Sequence, residues 1–201
     1  MVAGFPSEIS GISLFLGSRS PRRLELLRAA GFEVFLVDCS VEEECFPENL
    51  SGGDIPMFLA RKKAEAFQGE LPGNGILVTA DTIVWLDGKV LGKPASREEA
   101  RDMLRSLSGR SHEVFTGVFL RYRSQSVLFY AETKVFFRAL LDREIAYYVD
   151  TFKPYDKAGA YGIQEWIGYV GVERIDGSYY NVMGLPLQML YTKINHLVLS
   201  V

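Results

Sequence analysis

The apolar positions near the start of the chain follow first the pattern of a strand and then that of a helix. A continuous apolar run over residues 12–16 predicts a buried strand. After a Gly-Ser step, Ser20 and Pro21 are typical of the N-cap and first position of a helix, and apolar side chains recur at helical spacing up to Gly31. A second apolar run over residues 32–37 predicts another strand. The chain therefore begins as a strand–loop–helix–strand unit.

Further along, the pattern keeps switching between helical and strand-like periodicity. It predicts strands at residues 76–79, 112–122, 126–137 and 169–175, and helices at residues 56–67, 96–107, 143–149 and 185–199. Asp87-Gly88, between two apolar segments, is typical of a tight hairpin turn. No linker-like segment divides the chain, so we predict a mixed α/β fold in which residues 1–201 form a single domain.

The composition narrows the range of functions. The chain has 201 residues, 48% of them hydrophobic, which is enough to build a full core. Its net charge of −3 argues against broad nucleic-acid binding, which needs a basic surface. No stretch approaches the roughly 18 apolar residues of a membrane helix, and two cysteines make no disulfide framework. We therefore expect a cytoplasmic protein with reduced thiols and no nucleic-acid or membrane partner.

The loop between the first strand and the first helix is rich in arginine. In the segment LGSRSPRR, Arg19, Arg22 and Arg23 surround a Ser-Pro step. A helix N-terminus presents unpaired N–H groups and a positive dipole end, and guanidinium groups bind phosphate oxygens in pairs. These features favour a site for a polyvalent phosphate. The alternative is a solvated helix face whose arginines pair with acids such as Glu25.

Asp81 is the most informative acidic residue. It closes the apolar run ILVTAD and precedes a second apolar run, TIVWL. A carboxylate between buried segments is costly unless it is paired, hydrogen-bonded or metal-bound, and strand ends collect catalytic groups in α/β enzymes. With Glu43, Asp81 could hold a Mg²⁺ ion or orient a water for attack on phosphorus. The alternative role for Asp81 is to cap a turn.

Three further polar residues fit the same chemistry, although each also has an ordinary explanation. Lys63 on a predicted helix and Lys93 in LGKP would add positive charge, but single lysines are usually surface residues. The amide of Gln164 can read the edge of a nucleobase, or it can simply bond to the backbone of its loop. His112 and His196 lie in strand and helix contexts, where we expect structural or surface roles.

Six segments, taken together and in order, carry a resemblance to a known family. They are LGSRSPRR, LARKKAEA, TADTIVWLDGKVLGKP, LSGRSHEVFTGV, DKAGAYGIQ and GSYYNVMGLPL. The chain resembles the Maf family of nucleoside triphosphate pyrophosphatases from about residue 12 to about residue 192. Any one segment is a weak signal, whereas six in order are highly specific.

The resemblance implies a fold, an activity and a cellular setting. The implied fold is an elongated, mixed and twisted α/β sheet flanked by helices, with two lobes around a central cleft, similar to inosine triphosphate pyrophosphatases. Members of the family cleave a nucleoside triphosphate to the monophosphate and pyrophosphate and need a divalent cation, Mg²⁺ or Mn²⁺. They are cytoplasmic, commonly homodimeric, and associated with the removal of non-canonical nucleotides and with arrest of septum formation.

The resemblance also implies roles for particular residues. Asp81 matches the catalytic proton acceptor. Glu43 matches the acid after the second strand, which with Asp81 would hold the metal ion; Glu42 and Glu44 are its alternatives. The positions that match phosphate-binding residues are Ser18, Arg22, Arg23, Lys63 and Lys93. The positions that match the family's specificity residues are Arg22, Thr82 and Gln164. Their identities resemble the branch acting on dTTP and UTP rather than the branch acting on 7-methyl-GTP.

The sequence departs from the family pattern in two places, and it leaves other functions open. Gly17 stands where the family more usually has alanine, and Glu165 and Trp166 follow the glutamine where many members have glycine. The main alternative function is a regulatory nucleotide-binding protein that acts on septum formation with little hydrolysis, a role that needs no water-activating acid. A weaker alternative is an RNA-binding module that uses the arginine loop, which the acidic charge balance disfavours.

Overall fold

A computed structural model describes residues 9–41 and 45–200, which fold into two compact units. The first unit contains the described residues up to Asp81, together with Thr116–Ala131 and the described residues from Gly184 onward. The second unit contains Thr82–Phe115 and Glu132–Met183. The chain therefore first passes from the first unit to the second between Asp81 and Thr82, and it crosses three more times, after Phe115, Ala131 and Met183.

The strands of the described residues form one seven-stranded sheet. They are β1 Ser13–Gly17, β2 Glu33–Leu36, β3 Gly75–Leu86, β4 Lys89–Leu91, β5 Ser111–Tyr122, β6 Gln125–Phe137 and β7 Val172–Asp176. Their order is β2-β1-β3-β5-β6-β7, with β4 paired to β3. β1 runs parallel to β2 and β3, whereas the β3–β4 and β6–β7 pairs are antiparallel. The predicted mixed sheet is confirmed.

Helices connect and flank these strands. Within the part of the chain that the structure describes they are α1 Pro21–Ala29, α2 Asp54–Glu65, α3 Arg97–Leu107, α4 Asp142–Phe152, α5 Trp166–Gly171, α6 Tyr179–Met183 and α7 Leu187–Leu199. A short 3-10 turn at Ala158–Ala160 lies between α4 and α5. The predicted α/β class is therefore confirmed.

The predicted strand–loop–helix–strand unit at the start of the chain is present. β1 is mostly buried because β2 and β3 pair with it on both sides. α1 begins at Pro21, where a missing N–H leaves no bond unmade, and the chain leaves the helix through Gly31 at a φ of 90°. Ser20 occupies the N-cap position as predicted, but its side chain makes no capping hydrogen bond.

A close backbone contact seats α2 on the sheet. α2 begins at Asp54, slightly before the predicted start, and carries Pro56 in its first turn, where proline is tolerated. A Cβ at Gly117 of β5 would lie 2.3 Å from the backbone nitrogen of Met57. Because Gly117 has no side chain, the strand can approach the first turn of α2 this closely.

The second unit has its own hydrophobic core. Fully buried members from β6, α3 and α4 are Val135, Leu104, Leu107, Tyr148 and Val149. The start of α3 is as predicted, because the Ser96 hydroxyl accepts a hydrogen bond from the Glu99 N–H at 3.1 Å. Asp87 and Gly88, with φ values of 51° and 78°, form the predicted hairpin turn between β3 and β4.

The region before β7 differs from the sequence prediction. The predicted strand over residues 169–175 begins as helix α5, and β7 starts only at Val172. The N–H groups of Gly168 and Tyr169 donate to the Glu165 carbonyl and close a helical turn. A short apolar run does not distinguish a helix from a strand, which is why the prediction was wrong in its first half. The short helix α6 was not predicted.

Candidate active site

Arg23 holds the loop after β1 in place. The Ser18 hydroxyl accepts hydrogen bonds from the Ser20 N–H at 3.2 Å and from Arg23 Nη1 at 3.1 Å. Arg23 is 8% exposed and also donates to the carbonyl oxygens of Ala80, at 2.9 Å, and Gly184, at 2.8 Å. It ties the loop to β3 and to the segment before α7. A solvated position is therefore wrong for this arginine.

The other two arginines of the loop have different surroundings. Arg22 is half-buried in the first turn of α1. Arg19 is exposed, and its Nη2 donates to the Ser40 hydroxyl at 2.7 Å, in the segment after β2. Of these three arginines, Arg23 alone is buried.

One hydrogen bond fixes how α2 lies against β3. The buried Thr79 hydroxyl donates to the Ala60 carbonyl at 2.6 Å. A residue two positions after Thr79 on the strand, or three positions after Ala60 on the helix, lies on the same face of its element as the residue that makes this bond. Lys63 and Asp81 occupy those positions, and their largely buried side chains form an ion pair. The structure thus brings two of the predicted site residues into direct contact.

Asp81 lies within a strand and not at the end of one. The apolar run that it closes in the sequence is only the first half of β3, which continues to Leu86. β1 pairs with β3 as far as Thr79, and β4 pairs with it from Val84. Asp81 stands in the interval between these two partners, and the Lys63 ammonium compensates its charge. The predicted strand end and the turn-capping alternative are therefore both wrong.

A thiol fills the space beside the last residue of β1. A Cβ at Gly17 would lie 2.3 Å from Cys39 Sγ and 2.9 Å from Thr79 Cγ2. Burial, with a smaller effect of Asp38, raises the pKa of the Cys39 thiol to about 11. Because a protonated, buried thiol is a poor nucleophile, Cys39 is a packing residue here.

The remaining described candidates belong to the second unit. Thr82 follows Asp81 on β3 and is half-buried, Lys93 is exposed after β4, and Gln164 is half-buried before α5. The Gln164 carbonyl accepts a hydrogen bond from the Tyr169 hydroxyl at 2.5 Å. The first unit holds Ser18, Arg22, Arg23, Lys63 and Asp81.

A polar cluster beside Gln164 was missed by the sequence analysis. Lys157 is buried, and its Nζ lies 2.7 Å from an Asp156 oxygen and 3.0 Å from Glu165 Oε1. The other Glu165 oxygen accepts a hydrogen bond from Tyr148. Burial, together with this bond, raises the pKa of Tyr148, so the hydroxyl remains a donor. The charged residues of the segment DKAGAYGIQE are visible in the sequence. Tyr148 on α4, which bonds to Glu165, lies outside that segment.

His112 is a structural residue of the second unit, as expected. Its Nε2 pairs with the Tyr161 hydroxyl at 2.8 Å, and its ring packs edge-on against Phe137 and Tyr161. Burial lowers the pKa of His112 from 6.5 to about 4, so the ring is neutral near pH 7. His196 is exposed on α7.

The described acids do not form a metal cage on their own. Among residues 9–41 and 45–200, no three His, Cys, Asp or Glu side chains gather in a way that could hold a metal ion. Asp81 offers one carboxylate, and Mg²⁺ usually binds one or two carboxylates and completes its shell with substrate phosphates and water. The residues fit a cation that binds together with a triphosphate. Glu43 and its alternatives, Glu42 and Glu44, lie outside the described residues.

Comparison with known proteins identifies the relationship. The family model for Maf-like proteins matches residues 13–197. The chain belongs to the Maf family. The Maf-family chain is 52% identical to the dTTP/UTP pyrophosphatase of Bacteroides fragilis, over 92% of this chain and 95% of that protein. Proteins of the same name from Parabacteroides distasonis and Flavobacterium johnsoniae are 49% and 47% identical, over 91% and 92% of this chain and 95% of each relative.

Two further observations concern the Maf-family chain as a whole. A HAM1 protein from Coxiella burnetii aligns over 92% of this chain and 99% of its own, with a TM-score of 0.48 and 15% identity. In the part of the chain that the structure describes, every helix is too short or too polar to cross a membrane.

Proposed function

We propose that this Maf-family protein hydrolyses dTTP and UTP to the monophosphate and pyrophosphate. Relatives that are 52% and 49% identical over most of the chain carry the name dTTP/UTP pyrophosphatase. The structural observation that carries the proposal is the largely buried ion pair between Lys63 on α2 and Asp81 inside β3. Burying a charge is costly, and buried charges are found mainly at sites where the charge has a function.

Asp81 is the proposed proton acceptor. It takes a proton from a water whose oxygen bonds to the α-phosphorus, while the bond from that phosphorus to the bridging oxygen breaks and pyrophosphate leaves. A general base acts within hydrogen-bond reach of the proton it removes, so its orientation matters. The Lys63 ammonium, bonded to the carboxylate, supplies that orientation.

The proposed phosphate site begins at the loop after β1. The positive end of α1, the Ser18 hydroxyl and Arg22 would bind phosphate oxygens, and Lys93 would add charge toward the leaving pyrophosphate. Arg23 already donates Nε and Nη1 to protein oxygens. Its first contribution is therefore to fix the shape of the loop.

The substrate preference follows from the proposed specificity residues, Arg22, Thr82 and Gln164. A glutamine amide has an N–H donor and a carbonyl acceptor. These match the O4 acceptor and N3–H donor that uracil and thymine present side by side. Gln164 is the residue whose chemistry reads this edge most directly.

We also propose that the activity needs Mg²⁺ or Mn²⁺. Asp81, with Glu43, would hold the ion together with triphosphate oxygens, and a bound ion would neutralise charge that develops on the phosphates. A homodimer, a cytoplasmic location, removal of non-canonical nucleotides, a link to arrest of septum formation and a single-domain organisation stay predictions from the sequence.

A substrate panel tests the proposal. Pyrophosphate release is measured from dTTP, UTP, CTP, dATP, GTP and 7-methyl-GTP, with Mg²⁺ and with a chelator. We expect metal-dependent release confined to dTTP and UTP. Release mainly from 7-methyl-GTP would overturn the substrate assignment. Nucleotide binding without release would support the regulatory alternative, which is not favoured because binding alone does not require a base.

A further inference from the structure

We propose that Tyr148 and Glu165 are positioning residues for Gln164 and thereby set its choice between pyrimidines; this rests on the proposed function. A glutamine amide that turns by half a rotation exchanges its donor and acceptor. A loosely held amide can therefore pair with cytosine, which presents a donor beside an acceptor in the reverse order. To discriminate dTTP from CTP, the protein must hold the amide in one orientation. This requires first that the backbone of Gln164 be held in place.

Gln164 occupies a corner of a tight turn. The Glu165 N–H donates to the Gly162 carbonyl at 3.0 Å, which makes Ile163 and Gln164 the two central residues. Ile163 is buried in the core of the second unit, whereas Gln164 is half-buried. The core thus anchors Ile163, and Gln164, the next residue of the turn, carries the amide.

A single hydroxyl connects both ends of this turn to α4. The fully buried Tyr148 accepts a hydrogen bond from the Gly162 N–H at 3.0 Å and donates to a carboxylate oxygen of Glu165. Lys157 Nζ lies 3.0 Å from the other carboxylate oxygen. Both oxygens of Glu165 are therefore engaged in holding the turn.

The turn and the acid fit together closely. A Cβ at Gly162 would lie 2.9 Å from Glu165 Cδ and 3.1 Å from Lys157 Cε. The carboxylate therefore occupies the volume that a side chain at residue 162 would need. On its other side, the Gln164 carbonyl accepts the Tyr169 hydroxyl bond at 2.5 Å. Bonds from α4 thus hold the residues on either side of the turn, and a bond from α5 holds the Gln164 carbonyl itself.

A matched control lies in the same core. Tyr161 is buried, and its hydroxyl pairs with His112 Nε2 at 2.8 Å. Tyr161→Phe removes a buried tyrosine hydroxyl, as Tyr148→Phe does, but it leaves the bonds of the turn intact. It separates a loss of positioning from a general loss of stability.

The experiment measures kcat and KM for dTTP, UTP and CTP, and Tm, in wild type and three variants. In Tyr148→Phe and Glu165→Gln we expect the ratio of kcat/KM for dTTP over CTP to fall by about tenfold, a small part of the selection that hydrogen bonds can produce, because Gln164 itself is retained. The fall should arise chiefly from a higher KM for dTTP. Tyr161→Phe should keep the wild-type ratio even where its Tm falls.

Each outcome decides a different point. An unchanged ratio in Tyr148→Phe and Glu165→Gln overturns the inference, and so does an equal loss in Tyr161→Phe. A wild-type protein that releases no pyrophosphate overturns the proposed function and the inference with it. If Tyr148→Phe does not fold, Glu165→Gln decides alone, because that side chain is partly exposed and keeps its shape.

Discussion

Two lysine–carboxylate pairs, one in each unit, have similar burial and different surroundings. The side chains of Lys63 and Asp81 are each 12% exposed, and those of Lys157 and Glu165 are 9% and 20% exposed. The first pair joins a helix to the middle of a strand. The second pair lies within one Gly-rich segment and is bonded to a buried tyrosine.

The comparison shows that the surroundings of a buried ion pair, together with its burial, bear on its role. Desolvation costs are similar for both pairs, so the difference lies in what each carboxylate is attached to. Glu165 holds a turn through its partners Tyr148 and Lys157. Asp81 adjoins Ala80, whose carbonyl accepts a hydrogen bond from Arg23, the arginine that holds the loop after β1 in place. The two carboxylates therefore lie in different settings: Asp81 is next to a residue that anchors the loop after β1, and Glu165 makes contacts that hold its own turn.

Substitution of Asp81 should have the greatest effect on activity. Asp81→Asn keeps the size and shape of the side chain but removes the proton acceptor. We expect kcat for dTTP to fall by at least about a hundredfold, the usual scale for a general base. Pyrophosphate release measures it, and a far-UV circular dichroism spectrum like that of wild type shows an intact fold even where the loss of the ion pair lowers Tm. Turnover near that of wild type would remove Asp81 from its proposed role.

The next prediction concerns the stability of the protein in acid. It tests whether His112, a buried polar residue of the second unit, has a structural role. His112 has a pKa of about 4 in the folded protein, against 6.5 when unperturbed. As pH falls below 6.5, the unfolded chain binds the proton first, so the free energy of unfolding decreases. The pKa difference corresponds to a loss of about 2 kcal/mol between pH 6.5 and pH 5. Urea unfolding at both pH values measures it.

His112→Gln supplies the control for this pH dependence. Glutamine does not titrate, so the variant should be less stable at pH 7 and should lose about 2 kcal/mol less than wild type over the same interval. Equal losses in the two proteins would show that other groups carry the acid sensitivity.

Replacing the lysine of each pair by methionine, the same change at both places, should have smaller effects. Lys63→Met should lower kcat for dTTP by about tenfold, because an oriented charge is lost from the reaction. Lys157→Met should lower the free energy of unfolding by about 1–2 kcal/mol, because Glu165 loses a buried partner. Lys63→Met should lower turnover far more than Lys157→Met does, whereas both variants should lower the free energy of unfolding because each leaves a largely buried carboxylate without its lysine. The reverse ranking would contradict the assignment of roles.

Local patterns predicted local structure well. The first strand–loop–helix–strand unit, the Asp87-Gly88 hairpin and the Ser96 cap of α3 each depend on residues that are close in sequence. The prediction failed where a distant residue decides. β3 continues through Asp81 because Lys63, on another element, compensates the charge.

The candidate site shows the same division. The resemblance identified single residues, such as Asp81 and Lys63, but not that they touch. It also gave no sign that Arg23 turns inward to Ala80 and Gly184. Such contacts depend on how helices and strands pack against one another, which the spacing of residues within a motif does not indicate.

The contact between Gly17 and Cys39 constrains how the sequence can change over evolutionary time. The thiol stands 2.3 Å from where the methyl group of an alanine at residue 17 would lie, so the two positions share one volume. A lineage that first gains alanine at residue 17 meets a steric clash. One that first shrinks Cys39 opens a cavity that the alanine can then fill. The order of the two substitutions thus affects the stability of the intermediate sequence, and Cys39, a residue outside every motif, determines that effect.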